Sequence, residues 1–251
     1  MLNLELPKKF GMLVAQSHQV AAEVFRPNSR KYDTAEHEYP KELDMLAALI
    51  DGMNESGTLG GAGAGTVGGG SNGADAAPRK DDGGNRNGSN MSSLLGLIEL
   101  CWGDVGLMLA MPRQGLGQAA IAAVANQEQL KRFGGKWAAM AITEPEAGSD
   151  SAAIRTTARI DPAHPDDYVL NGEKIYVTSG DRADLIVVWA TLDRSQGRAA
   201  IKSFVVERDN PGLKLDRLEH KLGIRASDTA NFVLTDCRVP KENLLGDPEI
   251  A

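Results

Sequence analysis

The chain has 251 residues and a mass of 26.7 kDa, room for one large domain or two ordinary ones. Its hydrophobic fraction of 42% supports a real core, and with aromatics at only 5% that core must come largely from Leu, Val, Ile and Ala. The net charge of −7 repels a phosphate backbone on average, which argues against nucleic acid as the main partner and leaves open a local basic pocket for a small phosphorylated ligand.

Cys101 and Cys237 form no CxxC pair and read as reduced thiols of a cytoplasmic protein. His18, His37, His164 and His220 are scattered, and none has the spacing of a metal ligand, so no metal is expected. Glu5 and Pro7 stand where a secretory leader needs an apolar core, so no signal peptide is expected.

The first third has helical periodicity. Pro40 marks a helix start, followed by Leu43, Leu46, Ala47 and Ile50 at i, i+3, i+4 and i+7, with Gly57 as the stop. From Gly57 to Asn90 glycine supplies 12 of 34 residues. Such a composition cannot offset its ordering entropy, and a flexible surface insertion is expected. Within it, residues 63–68 match GxGxxG, but without the preceding strand and following helix that a dinucleotide site requires. Leu94–Met111, broken by Glu99 and Asp104, reads as a buried apolar helix rather than a membrane span. A second helix is expected over Gly115–Phe133, with Leu116, Ala120, Ala123 and Val124 on one face and Gly134-Gly135 ending it.

Beyond it the period becomes two. Short strands are expected at Ala138–Thr143, Arg155–Ile160, Tyr168–Leu170, Lys174–Thr178, Leu185–Thr191, Ala200–Glu207 and Asn231–Val239. Turn signals separate them at Asp161-Pro162, Asn171-Gly172, Ser179-Gly180 and Asn210-Pro211-Gly212. The expectation is an α+β chain: an α-helical domain over 1–136, then an antiparallel β-barrel domain over 137–251.

The stretch AMAITEPEAGSDSAAI, residues 139–154, concentrates chemistry. Glu144 and Glu146 flank a proline at a strand end and read as solvated or turn-stabilising carboxylates rather than an acid/base pair, since nothing in the sequence buries them. A ligand cradle fits better. Thr143 offers a hydroxyl, Pro145 and Gly148 shape a loop, and Ser149 and Asp150 cap a turn.

These residues carry a family resemblance. ITEPEAGSD at 142–150 resembles the signature of the acyl-CoA dehydrogenases, and NGEKIYVTSG at 171–180 is similar to that family's NGxKxWITNG. LGIRASDT at 222–229 and DCRVPKENLL at 236–245 continue the likeness in the family's order, and residues 115–133 resemble it more weakly. The resemblance implies a helical domain, a β-barrel middle domain, FAD and an acyl-CoA thioester. The implied reaction takes the α-proton to a glutamate and the β-hydride to flavin N5. Met140, Ala141, Ile142, Thr143, Gly148 and Ser149 would line the flavin, with Ser149 also touching the carrier arm of acyl-CoA. Tyr176, Val177 and Thr178 would pack along the ring. Tyr176 stands where the family usually has tryptophan and can still stack; Glu146 stands where it often has a small residue. Arg225 reads either as a salt-bridge arginine or as support for the site.

The family usually carries a further helical bundle that supplies the catalytic glutamate. No residue here matches that base, so none is named as catalytic and the chain alone is expected to have little or no dehydrogenase activity. The resemblance also implies an electron-transfer flavoprotein as acceptor and a homo-tetramer or a hetero-oligomer with a related subunit. Alternatives kept open are a partial-site subunit of a heteromeric enzyme, a flavin oxidase or monooxygenase of the same fold, and a nonenzymatic acyl-CoA or lipid-binding module.

Overall fold

The computed structural model describes residues 6, 8–55, 89–112 and 116–246. The chain falls into two compact units, Met1–Pro112 with Leu222–Ala226, and Arg113–Lys221 with Ser227–Ala251. The insertion, its GxGxxG and the Gly57 stop lie outside the described residues, except that Ser89 and Asn90 open a helix.

In the first unit, helices α1 (Gly11–Val20) and α2 (Arg26–Thr34) are joined by a π-helical segment, Ala21–Phe25. That segment ends two residues before Pro27, whose ring would clash with the i−4 carbonyl, that of Glu23, in a regular α-helix. α3 (Glu42–Glu55) starts just after Pro40, and Leu43, Leu46 and Ala47 are buried on its expected face. α4 (Ser89–Gly103) and α5 (Val105–Leu109) replace the single helix expected over Leu94–Met111. The reason is Asp104. Its backbone is extended, and its carboxylate accepts the Leu107 N–H at 2.8 Å, so it caps a new helix where the pattern implied continuation. Nor is α4 buried all round. Its inward positions include the small residues Ser92, Gly96 and Gly103, while Leu94, Ile98 and Trp102 are about half exposed along the other face. Phe25, Tyr32, Leu43, Leu46, Leu107 and Met111 form the core of this unit, joined by Ala226.

In the second unit, the helix expected over Gly115–Phe133 is two helices, α6 (Leu116–Val124) and α7 (Gln127–Phe133). Asn126 divides them with a reciprocal capping box: its side chain accepts the Gln129 N–H at 2.9 Å, and the Gln129 side chain accepts the Asn126 N–H at 3.1 Å. The face is also corrected. Gly117, Gln118 and Ile121 are buried, whereas Leu116 and Val124 are 61% and 51% exposed.

The strands are β1 (Ala138–Ala141), β2 (Thr157–Ile160), β3 (Asp167–Thr178), β4 (Leu185–Thr191), β5 (Ile201–Glu207), β6 (Leu213–Leu218) and β7 (Thr229–Pro240). They form one curled sheet in the order β1-β4-β2-β3-β7-β6, with β5 on β4. The expected plan, helices followed by a β-barrel, is what the chain adopts, with the sheet curled into a half-barrel. The sheet is not uniformly antiparallel, since β1 and β2 both pair with β4 in parallel. The long connection from β1 to β4 makes this possible, because a parallel pair needs a crossover. Asn171-Gly172 is not a turn. β3 runs straight through it, with a bulge between Leu170 and Gly172. β6 is an edge strand that its charged sequence, LKLDRL, concealed. Among the described residues no helix is long and apolar enough to cross a membrane.

Candidate functional site

β1 is made of small residues because a helix lies directly on it. An added Cβ at Gly117 of α6 would stand 2.5 Å from the backbone of Ala138 and Ala139. Ala138, Ala139 and Ala141 are buried at 0%, 0% and 1% exposure, and Met140 is partly buried. The strand hydrogen bonding of β1 ends at Ala141, and Ile142 and Thr143, both partly buried, lead into a tight turn. Glu144 and Ala147 exchange two backbone hydrogen bonds of 3.1 Å across Pro145 and Glu146. Glu146 is exposed and pairs with Arg155.

Glu144 corrects the expectation of a solvated carboxylate: it is 5% exposed. Its oxygens accept from the Arg155 N–H at 2.5 Å, the Thr156 N–H at 3.0 Å, the Thr156 hydroxyl at 2.5 Å and the Lys174 ammonium at 2.7 Å. Lys174 is fully buried and also donates to the Ile142 carbonyl at 3.0 Å. Burial alone would raise the Glu144 carboxyl, but the bonds from Lys174, Thr156 and Arg155 outweigh it and hold the group below its ordinary value. Burial pushes the Lys174 ammonium down, against the opposing pull of Glu144. Gly172 makes room for this network. At φ +155° it sits where an added Cβ would come within 2.4 Å of the Thr156 hydroxyl.

On β3 the second expected segment is close by. The Ile175 N–H donates to the Thr143 carbonyl at 2.9 Å, so residues 142–144 and 174–176 lie side by side. The strand bulges between Lys174 and Val177. Tyr176 there adopts φ +59°, a left-handed conformation costly for a tyrosine, and its N–H donates to the buried Asn231 side chain at 3.1 Å. The bulge leaves both Tyr176 and Thr178 exposed while Val177 is 1% exposed. Val177 can therefore offer a ligand its backbone and little of its side chain.

Of the nine residues expected at the flavin, the structure brings Ile142 and Thr143 beside the stretch of β3 that leads into Tyr176–Thr178. Gly148 and Ser149 stand exposed on the loop beyond the Glu144–Ala147 turn, ahead of a short 3-10 turn at Ser151–Ala153. Arg225 pairs with Glu36 at 3.1 Å, as a salt-bridge arginine. A separate cavity of about 640 Å³ is lined by Asn126, Gln129, Arg132, Tyr168, Leu244 and Gly246, none of them an expected flavin residue.

Sequence reasoning missed the supporting residues Lys174, Thr156 and Asn231. A lysine in a strand reads as a solvent-facing residue, and only the three-dimensional partner says otherwise. The one available signal was the glutamate held before a proline at a strand end.

The two adjoining segments carry two threonines, the exposed ring of Tyr176 and the partly buried Met140 and Ile142. That combination suits a flat ring system with polar edges.

Comparison with known proteins agrees. A family model described as the acyl-CoA dehydrogenase middle domain matches residues 139–237. The short-chain specific acyl-CoA dehydrogenase of Rattus norvegicus mitochondria is 49% identical over 115 residues, covering 46% of this chain and 27% of that protein. The structure of butyryl-CoA dehydrogenase from Megasphaera elsdenii is 27% identical with a TM-score of 0.74, covering 98% of this chain and 60% of that one. An acyl-CoA dehydrogenase of Bacillus anthracis, solved in complex with FAD, is 29% identical with a TM-score of 0.70, covering 98% of this chain and 40% of that one. The chain thus spans about 60% of the Megasphaera enzyme. Residues 139–237 are thus similar to the acyl-CoA dehydrogenase middle domain, and the chain as a whole is similar in fold to solved acyl-CoA dehydrogenases.

Proposed function

We propose that the chain binds FAD and serves the α,β-dehydrogenation of an acyl-CoA thioester. The observation that carries this reading is the Thr143–Ile175 hydrogen bond of 2.9 Å, which joins two motifs 32 residues apart into one surface. When bound, FAD supplies the acceptor, at N5, for the hydride leaving the β-carbon. The α-proton passes to a glutamate base, a role assigned to no residue of this chain.

The chain's own residues bind and orient. Thr143 would offer its hydroxyl to the polar edge of the ring, and Thr178 would hold its hydroxyl toward the flavin. Tyr176 would stack along the ring, and its strained backbone is held by Asn231, so little ordering would remain on binding. The partly buried Met140 and Ile142 would exclude water from the ring face, while the buried Ala141 and Val177 would offer their backbone. Gly148 and Ser149 serve the loop, with Ser149 toward the carrier arm of the thioester. An electron-transfer flavoprotein as acceptor, assembly as a homo-tetramer or with a related subunit, and a cytoplasmic location belong to the same reading.

The test is FAD titration of the purified chain followed by flavin fluorescence. Saturable binding is expected, weakened by about 3- to 10-fold in Thr143→Val if one hydroxyl hydrogen bond is lost. A chain that quenches no flavin fluorescence at any concentration defeats the reading.

A further inference from the structure

We propose that the buried Lys174–Glu144 pair is a positioning device that fixes the flavin-facing segments against one another, an inference that rests on the flavin reading above. Lys174 is fully buried and Glu144 is 5% exposed. Removing two charges from water is costly, and replacing such a pair by well-packed apolar residues is often neutral or stabilising. Stability alone therefore gives no reason for an ion pair at this place. Its bonds supply one.

The Lys174 ammonium donates to the Ile142 carbonyl at 3.0 Å, and the next residue of β3, Ile175, donates its N–H to the Thr143 carbonyl at 2.9 Å. Two successive carbonyls of the loop are thus held by two successive residues of β3. The next residue on β3 is the bulged Tyr176. Glu144 completes the arrangement by gathering the Arg155 and Thr156 N–H groups at 2.5 and 3.0 Å. One ion pair ties three chain segments together, and two of them carry the expected flavin residues. Lys174 and Glu144 are positioning residues in this scheme and touch no reacting atom.

The test uses the full 251-residue chain with FAD as the probe. Lys174→Met and Thr156→Val are compared with the unaltered chain for FAD dissociation constant, for the fine structure of the bound-flavin absorption band, and for thermal midpoint. Binding is measured well below each midpoint. The expected result is FAD binding weaker by about 10-fold or more in Lys174→Met and by about 3-fold in Thr156→Val, with blurred fine structure in both. Binding within about 2-fold of the unaltered chain, alongside a lowered midpoint, would show a merely structural pair and overturn the proposal. If Lys174→Met does not fold, the isosteric Thr156→Val decides by the same criterion. An unaltered chain that binds no FAD removes the flavin reading and this proposal together; binding that is indifferent to the variants removes this proposal alone.

Discussion

Gly117→Ala sets two physical effects against each other, and the sign of the outcome decides between them. Inside a helix, glycine to alanine is worth about 1 kcal/mol of stabilisation from backbone entropy. If Gly117 were an ordinary helical glycine, the variant would be more stable by that amount. The structure places the added Cβ 2.5 Å from the carbonyl carbon and oxygen of Ala138 and from the Ala139 oxygen, where ordinary contact begins at 3.4 Å. The overlap is with strand backbone, which has no rotamer to escape into, so α6 or β1 must move by nearly an ångström. Overpacking of this kind costs about 1–3 kcal/mol, and rigid backbone on one side puts the cost at the upper end. The net expectation is destabilisation by about 2 kcal/mol, or about 4–8 °C in midpoint for a chain of this size. Thermal and urea unfolding followed by circular dichroism measure it, with Ala123→Gly on the exposed side of α6 as the propensity control. A Gly117→Ala chain as stable as the parent, or more so, would refute the close approach of α6 to β1.

Other expectations concern the site and the core. A double-mutant cycle on Glu144→Gln and Lys174→Met should show a coupling of about 1–3 kcal/mol; additivity within about 0.5 kcal/mol would deny the pair. Because the folded Glu144 carboxyl lies below its ordinary value of 4.5, its contribution is complete above that pH and is lost as pH falls through the folded value. Acid unfolding below about pH 4.5 should therefore be shallower in Glu144→Gln than in the parent chain, as followed by circular dichroism. Tyr176→Gly should relieve the left-handed strain and change stability by about 0 to +1 kcal/mol, since the ring is 61% exposed. The same variant should weaken FAD binding; a chain that loses stability and keeps flavin affinity would contradict both halves. Burial pushes the Cys237 thiol up to about 12, so it should resist thiol reagents in the folded chain and react on unfolding. Modification of Cys237 at the rate of a free thiol under native conditions would contradict its burial.

The sequence by itself determined the order of the fold. A 3.6-residue period followed by a two-residue period is a local property, and helices followed by a curled sheet are what formed. Leu185–Thr191 is a strand at its expected bounds, because its continuous apolar run and flanking turns leave little choice. The stretch read as a ligand cradle, from Thr143, and the NGEKIYVTSG motif meet through the Thr143 carbonyl and the Ile175 N–H. Caps were harder to read. Asp104 and Asn126 each start a new helix through a single side-chain cap, at positions where one continuous helix was expected.

Only the tertiary structure decided which polar groups are buried, because burial depends on partners far apart in the chain. Glu144 is a solvated turn residue by its neighbours and a buried carboxylate by its contacts with Thr156 and Lys174. Asn171-Gly172 is a turn by composition and a bulge by pairing, because β7 binds β3 on both sides of it. The inward face of α6 follows Gly117 rather than Leu116, since space against β1 excludes a side chain where the hydrophobic pattern asked for one. In each case the local preference was weak, and a long-range contact of larger energy overrode it.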